Sequence, residues 1–440
     1  MFSIQRITAI LLMVVAATVP AWTAPRDKQA MRDAALGALM KGGNRLNAAS
    51  DIQELRSSSA YSIYGNPQGS GFAMIAADDR LPAVLAVSET ALTSSRPNPG
   101  FEWFCASVEE VTRALTQQGR RFTTTLPDPA KYPAKVEALM QTKWGQDAPY
   151  SYWCPTATGE ICDDYLPDVA HCAVGCVATA LAQIAYYYRF PASASATCDF
   201  VIGDKAATVS MEGTYDWDNM LEDYNGGYTE AQGRAVALLS YHCGLISYMN
   251  YGEDLSGSSN IMGLRGAQQI FGYNKDAYIV VRNEYDEPTW MDMVYHELSL
   301  GRPLYYQGVH MNFDPSQGVV GVAGHSFVID GYDEQGLVHV NWGWYGNHDG
   351  YYDIALLDVR GLKFNAYQDM VLDFVPEQPQ VLEGDVNDDG MVNINDVTAL
   401  IDFILSRDAS QINMSAADVD GSGSVNINDL TILIDIILTN

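Results

Sequence analysis

The chain is short of positive charge. Its 440 residues carry 25 Lys and Arg against 54 Asp and Glu, a net charge of −29. Nucleic acid and anionic lipid surfaces are recognised through basic patches, so neither is an expected partner. Beyond the N-terminus no run is apolar and long enough to span a bilayer, so no membrane span is expected. Histidine and cysteine are scarce, seven of each, which leaves few candidates for a catalytic base or nucleophile. An odd number of cysteines cannot all pair within one chain, so at least one thiol is left free.

What is present begins with "MFSIQRITAILLMVVAATVPAWTAPRD". Arg6, an apolar stretch and the small-residue site "VPA" predict a signal peptide over residues 1–21, with Ala24 as a second cleavage point. A secreted or cell-surface protein follows from that. Apolar residues make up 48 % of the chain, enough for real cores, and this length predicts two to four domains.

Three blocks stand out. Residues 22–125 mix a helical start with strand-like runs such as "GFAMIAADDRLPAVLAVSE", and "FEWFCASVEEVTRALTQQG" reads as an amphipathic helix. The Thr/Pro-rich "RRFTTTLPDPAKYP" closes this block as an exposed linker, with Arg120 and Arg121 open to cleavage. Residues 126–375 alternate helix and strand patterns and are rich in Tyr, Trp and Gly. A linker at 376–382 then leads to a tail over 383–440.

The tail repeats itself: "GDVNDDGMVNINDVTALIDFIL" aligns with "ADVDGSGSVNINDLTILIDIIL". In the first copy Asp385, Asn387, Asp389, Asn393 and Asp396 fall at loop positions 1, 3, 5, 9 and 12 of a calcium loop. Gly390 stands where such a loop must turn, and the Met391 carbonyl completes the set. The second copy supplies Asp418, Asp420, Ser422, Ser424 through its carbonyl, Asn426 and Asp429, with Gly423 at the turn. Two Ca²⁺ ions are expected. An apolar helix follows each loop and none precedes it. The alternative is a pair of Asx-rich turns without metal, in which converging carboxylates would stay unshielded. The duplicated loop–helix unit resembles the dockerin domain, and the resemblance implies a cohesin-like scaffold as partner.

The chemistry centres on "DVAHCAVGCVATALAQIAYYYRFP". Val177, Leu181, Ile184 and Tyr188 recur at helical spacing after Gly175-Cys176, and Pro191 closes the run. Cys176 therefore sits at a helix N-terminus, where unpaired N–H groups and the dipole favour a thiolate. A nucleophilic cysteine also needs a base. His325 lies in "VAGHSFVIDGYDEQGLVHVNWGWYG", which reads as two strands joined by the turn "DEQG". Folding that hairpin brings Asn341 beside His325, so Asn341 is expected to hold the imidazole, with Trp342 and Trp344 shielding it. Cys, His and Asn in this order suit nucleophilic acyl transfer. A disulfide or buried thiol at Cys176 and a structural His325 remain alternatives. So does a zinc site from Cys154, Cys162, Cys172, Cys176 and His171, although its spacing fits no compact zinc pattern.

"GCVATALAQIAYYYRFP" with "GHSFVIDGYDEQGLVHVNWGWYG" resembles the streptopain family of secreted bacterial cysteine proteases, as do "YYQGV" and "FGYN". The likeness covers roughly residues 130–375. It implies an α+β, papain-like protease domain, an N-terminal α+β inhibitory prodomain over residues 22–125, and the small all-α calcium-binding tail. It implies Cys176 as nucleophile, His325 as base and Asn341-Trp342 as the segment supporting the base. "KWGQDAPY" then makes Gln146 the oxyanion-hole side chain, and Gly324, Ser256 and Gly257 line the substrate cleft. The implied partners are protein or peptide substrates and the chain's own prodomain, and catalysis needs no cofactor. A secreted endopeptidase zymogen is the expected function. The rivals are a non-catalytic binding protein on a degenerate protease fold, and an acyl-transferring or amidase enzyme using the same dyad.

Overall fold

The computed structural model describes residues 25–41, 52–67, 69, 71–92, 97–253, 255–314, 318–357, 366–377, 383–387, 389 and 391–439. The predicted signal peptide, most of the linker at 376–382, and Gly390 lie outside them. The chain forms two compact units, one ending at Val375 and one beginning at Pro376.

The first unit opens with α1 (Lys28–Lys41), β1 (Gln53–Ser57), β2 (Tyr61–Gly65), β3 (Phe72–Ala76), β4 (Val84–Ser88) and α2 (Pro99–Gln118). After a long irregular stretch come α3 (Cys176–Tyr188), β5 (Ser193–Ile202), β6 (Lys205–Thr214), α4 (Glu230–Ile246), β7 (Asn250–Tyr251) and α5 (Asn260–Gly266). Next are β8 (Tyr278–Val281), α6 (Glu287–Ser299), β9 (Leu304–Asp314), β10 (Gly318–Tyr332), β11 (Val338–Asn341), β12 (Gly350–Tyr352) and β13 (Ala366–Leu372).

One ten-stranded sheet, in the order β1-β2-β3-β4-β12-β11-β10-β9-β13-β8, organises this unit. The N-terminal strands extend the sheet through the antiparallel β4–β12 pair, Ser88 opposite Gly350. Strands of the two predicted blocks thus share one sheet. Successive side chains of a strand point to opposite faces. Phe327 and Ile329 of β10 enter a core shared with α2 and α6, whereas Val328 enters the core built by α3, α4 and α5. β2 and β3 are buried along their whole length, because α2 covers one side of them and α1 the other.

The helix at Phe101–Gln118 forms as expected and starts two residues earlier. The Asn98 side chain accepts the Gly100 and Phe101 N–H groups, Pro99 occupies the first turn, and Gly119 (φ +62°) closes the helix. The Thr/Pro-rich stretch is no free linker. Arg120 and Arg121 are exposed, but Phe122 is buried, Thr124 Oγ1 donates to Asp353 Oδ2 (2.7 Å), and Thr125 Oγ1 donates to Glu287 Oε1 (2.6 Å). Its hydroxyls donate to one half-buried and one buried carboxylate, which composition cannot reveal.

The second unit holds α7 (Ile394–Ser406), a single turn α8 (Met414–Ala417) and α9 (Ile427–Thr439). A helical turn therefore precedes the second loop, contrary to the sequence reading. Val397, Leu400 and Leu433 are buried as the periodicity predicts. Ile401 and Ile434, counted among the packing residues in the sequence, instead face outward, each 38 % exposed. Ile394 and Leu405 on α7 and their counterparts Ile427 and Leu438 on α9 are exposed beside them.

Candidate active site

Gly175 adopts φ +89°, a backbone region favourable only to glycine, and delivers the chain into α3 at Cys176. A Cβ at Gly175 would lie 2.8 Å from Met249 Cε and 3.1 Å from the Ser256 carbonyl, so the approach also demands a hydrogen there. The helix thus begins at the residue the sequence placed there.

All seven cysteines are free thiols. Burial pushes six of them up, Cys105 to about 12. Cys176 alone is lowered. Burial opposes its ionisation too, but the hydrogen bond and charge of His325, with the N–H groups of Ser326 and Val177, outweigh that. His325 is raised: burial disfavours its cation, while the Cys176 contact, the Trp342 carbonyl and the charge of Asp349 favour it. Both shifts run toward a thiolate and an imidazolium.

His325 lies on β10 opposite Gly308 of β9. Its Nε2 faces the Trp342 carbonyl at 2.6 Å. The Asn341 side chain does not itself hold the imidazole, contrary to the sequence reading. The turn falls later than assumed, so Asn341 pairs with Val328 and not with a residue beside His325. Asn341 Nδ2 donates to the Thr142 carbonyl (2.6 Å), and its Oδ1 accepts the Gly343 N–H (3.0 Å). That N–H belongs to the same peptide unit as the Trp342 carbonyl, so Asn341 orients the His325 acceptor one peptide removed. Trp342 and Trp344 both lie against the imidazole, at centroid distances of 6.3 and 6.2 Å.

Gln146 is buried, and its backbone carbonyl accepts the Val174 N–H at 2.9 Å, which ties this segment alongside the approach to Cys176. Tyr345 braces the same segment: its hydroxyl accepts the Asp147 N–H (2.6 Å). Ser256 is buried with its hydroxyl against Gly252, and Gly257 pairs with Asn250 with open space where a side chain would point. Gly324 is exposed beside Val309. His171, offered as a zinc ligand, places its nitrogens on the Cys154 and Leu166 carbonyls (2.7 and 2.6 Å).

The N-terminal segment lies on this site. A Cβ at Gly100, in the first turn of α2, would stand 2.6 Å from His325 Cδ2 and 2.4 Å from Trp342 Cε3. The Trp103 ring fills the space over Gly308. Sequence periodicity could not single out this glycine, because its role depends on what lies across the interface.

His348 belongs to the same interface. Its ring is buried between Phe101 (4.5 Å) and Phe72 (5.8 Å), and neither ring nitrogen has a hydrogen-bond partner. Burial holds it down to about 4, with Glu102 opposing and Arg56 adding to the shift. The folded value lies below the ordinary 6.5, so the open or unfolded chain takes up the proton first. Stability is therefore full above pH 6.5 and falls as the pH drops toward 4, by about 1.4 kcal/mol per unit for this one proton. The full chain is expected to lose melting temperature more steeply over that window than its His348→Asn variant. Parallel melting curves would refute it.

In the tail the two loops are built alike. Asp396 receives the Asn387 and Asn393 N–H groups (3.1 and 2.8 Å), and Asp429 receives those of Asp420 and Asn426 (3.2 and 2.8 Å). Asp389 N–H reaches Asp385, and Ser422 N–H reaches Asp418, both at 3.0 Å. Carboxylate oxygens of Asp418, Asp420 and Asp429 gather within 4.8 Å of one another. Such an all-oxygen set fits a hard divalent cation. The Met391 side chain is exposed. The Ser424 carbonyl accepts from Asn426 Nδ2 (2.7 Å).

Comparison with known proteins gives these features a family. The model of the Peptidase C10 family matches residues 144–352, and that of the Dockerin type I domain matches residues 383–438. The structure of Prevotella intermedia prointerpain A is 36 % identical with a TM-score of 0.64, over 74 % of this chain and 99 % of that one. The chain belongs to the Peptidase C10 family. Among its C10 relatives, Streptopain of Streptococcus pyogenes is 29 % identical over 80 % of this chain and 92 % of its own. The thiol protease/hemagglutinin PrtT of Porphyromonas gingivalis is 26 % identical over 70 % of this chain and 35 % of its own. The protein is a cysteine peptidase of papain-like fold carrying a dockerin domain. No helix among the described residues is long and apolar enough to cross a membrane.

Proposed function

We propose that the protein is a secreted endopeptidase made as a zymogen, with Cys176 as nucleophile and His325 as general base and acid. The Cys176 thiolate attacks the scissile carbonyl carbon. His325 gives its proton to the leaving amine, and a thioester remains on Sγ. His325 then takes a proton from water, whose oxygen adds to the acyl carbon; the C–S bond breaks, the acid leaves, and the Cys176 thiolate is restored beside the protonated His325. Gln146 and the Cys176 backbone N–H donate to the oxyanion. Asn341 and Trp342 steady the base, and Gly324, Ser256 and Gly257 border the substrate. The observation that carries the reading is geometric: Cys176, the first residue of α3, is hydrogen-bonded to His325 of β10, whose Nε2 is held by the Trp342 carbonyl.

Residues 22–125 act as the inhibitory prodomain. Supporting this, the first turn of α2 rests on His325 and Trp342 with no room for a side chain at Gly100. The tail binds two Ca²⁺ ions through the residues named above. Its matched outward stripes, Ile394, Ile401 and Leu405 on α7 and Ile427, Ile434 and Leu438 on α9, suit docking to a cohesin-like scaffold at the cell surface. The test is iodoacetamide labelling of the full chain matured by limited proteolysis, followed by peptide mapping. Modification of Cys176 ahead of all other cysteines, with loss of peptide hydrolysis, is expected. Activity that survives complete labelling of Cys176 would sink the proposal.

A further inference from the structure

The base depends on the Trp342 carbonyl, and Asn341 fixes only one side of that residue's backbone. We propose that Asp349 is a positioning residue of the Cys176–His325 pair, acting through Trp342: its carboxylate anchors the Trp342 N–H, and its charge favours the imidazolium. The proposal rests on that functional reading and adds a residue to it.

Three observations carry it. Trp342 N–H donates to Asp349 Oδ1 at 2.8 Å, and the Trp342 carbonyl meets His325 Nε2 at 2.6 Å. The residue is thus held at its N–H by Asp349, while Asn341 holds the following N–H. Second, Asp349 is among the charges that favour protonated His325. Third, the chain is fixed around it. Asp349 directly precedes β12, Ser88 Oγ donates to its carbonyl (2.6 Å), and Trp342 Nε1 donates to the neighbouring His348 carbonyl (3.1 Å). The carboxylate therefore has little freedom to leave the Trp342 N–H.

Other charged groups face it. Burial pushes Asp349 up to about 7; the Trp342 N–H, His339 and Lys143 pull it down, and Asp330 pushes it up. His339 is itself paired with Asp330 (2.5 Å). Above that value Asp349 is ionised, which is the range in which the imidazolium must keep its proton. A charge on Asp349 raises the pH at which His325 loses that proton, and so extends the basic limb of activity.

Two variants separate position from charge. Asp349→Asn keeps an oxygen for the Trp342 N–H and removes the charge; Asp349→Ala removes both. Full chain is matured by limited proteolysis and assayed with a fluorogenic peptide across pH, with iodoacetamide alkylation of Cys176 in parallel. Asp349→Asn is expected to keep kcat within about threefold while the basic limb of kcat/KM moves down by roughly one pH unit. Asp349→Ala is expected to lower kcat at least about tenfold with KM little changed, since a misplaced base costs rate and not binding. If Asp349→Ala does not fold, Asp349→Asn decides alone. A basic limb that stays in place in Asp349→Asn overturns the proposal, whatever happens to kcat. A wild-type enzyme whose Cys176 resists alkylation while hydrolysis proceeds would instead overturn the functional reading beneath it.

Discussion

Cys176→Ala should reduce peptide hydrolysis by about 10⁶-fold, the scale on which loss of a covalent nucleophile is felt when the rest of a site survives. The fold should be untouched. The helix start is set by Gly175 and by the backbone, and the Cys176 thiol's one side-chain partner of consequence is His325. What disappears is the group that attacks, together with the negative charge that holds His325 protonated. Two readouts follow. Purified full chain kept under reducing conditions should retain its N-terminal segment if maturation is self-catalysed, as N-terminal sequencing would report. The His325 titration should also fall, because the thiolate that raised it is gone and burial still opposes its charge. Hydrolysis by Cys176→Ala at the wild-type rate would end the cysteine-nucleophile reading.

A fragment spanning residues 383–440 should be poorly ordered in chelator and helical in calcium. Asp385, Asp389 and Asp396 must share one loop, and Asp418, Asp420 and Asp429 the other, where their oxygens already gather within 4.8 Å. Without a cation those charges repel at short range. The core that opposes them is small: Val386, Val397, Leu400, Phe403, Ala417, Val419, Val425 and Leu433. A domain of this size buries too little surface to be secure alone. Calcium binding the folded form adds about 2.7 kcal/mol at a hundredfold excess over Kd, enough to move a marginal domain from mostly unfolded to mostly folded. Joint replacement Asp385→Ala and Asp418→Ala should abolish the response. Far-UV circular dichroism during a calcium titration, reversed by chelator, reads it directly. A fragment already fully helical in chelator and indifferent to calcium would show the loops to be ordinary turns.

The parts legible in the sequence are those governed by local chemistry. Gly175 before an apolar run with helical period located the start of α3 at Cys176. The "DEQG" turn located the β10–β11 hairpin, and the repeated Asx pattern located both loops of the tail. The strand register and the width of the helix seam are not local properties. A hairpin turning symmetrically about Asp333 would set Asn341 beside His325; in the fold the closing bond is Asp333 N–H to the Leu337 carbonyl, and Asn341 pairs with Val328. A period-2 pattern specifies which face a residue takes, but the register belongs to the turn. Likewise the 3.6-residue period counted Ile401 and Ile434 as packing residues, although the two tail helices meet along a narrower seam and leave them partly outside.

By itself the sequence determined the chemistry available: one cysteine at a helix start, one histidine on a suitable strand, an acidic duplicated tail, and a deficit of positive charge. Only the tertiary structure decided how those groups are tuned. That burial raises six thiols while His325 lowers the seventh follows from distances between chain segments. So does the placement of Gly100 against His325, of Trp342 between Asp349 and the base, and of His348 without a partner under Phe72 and Phe101. The physical reason is the same in each case. Hydrogen bonding and desolvation act over a few ångströms, and groups on separate strands and loops, whether near in sequence as Trp342 and Asp349 are or far apart as Phe72 and His348 are, come within that range only when the sheet of the first unit is assembled.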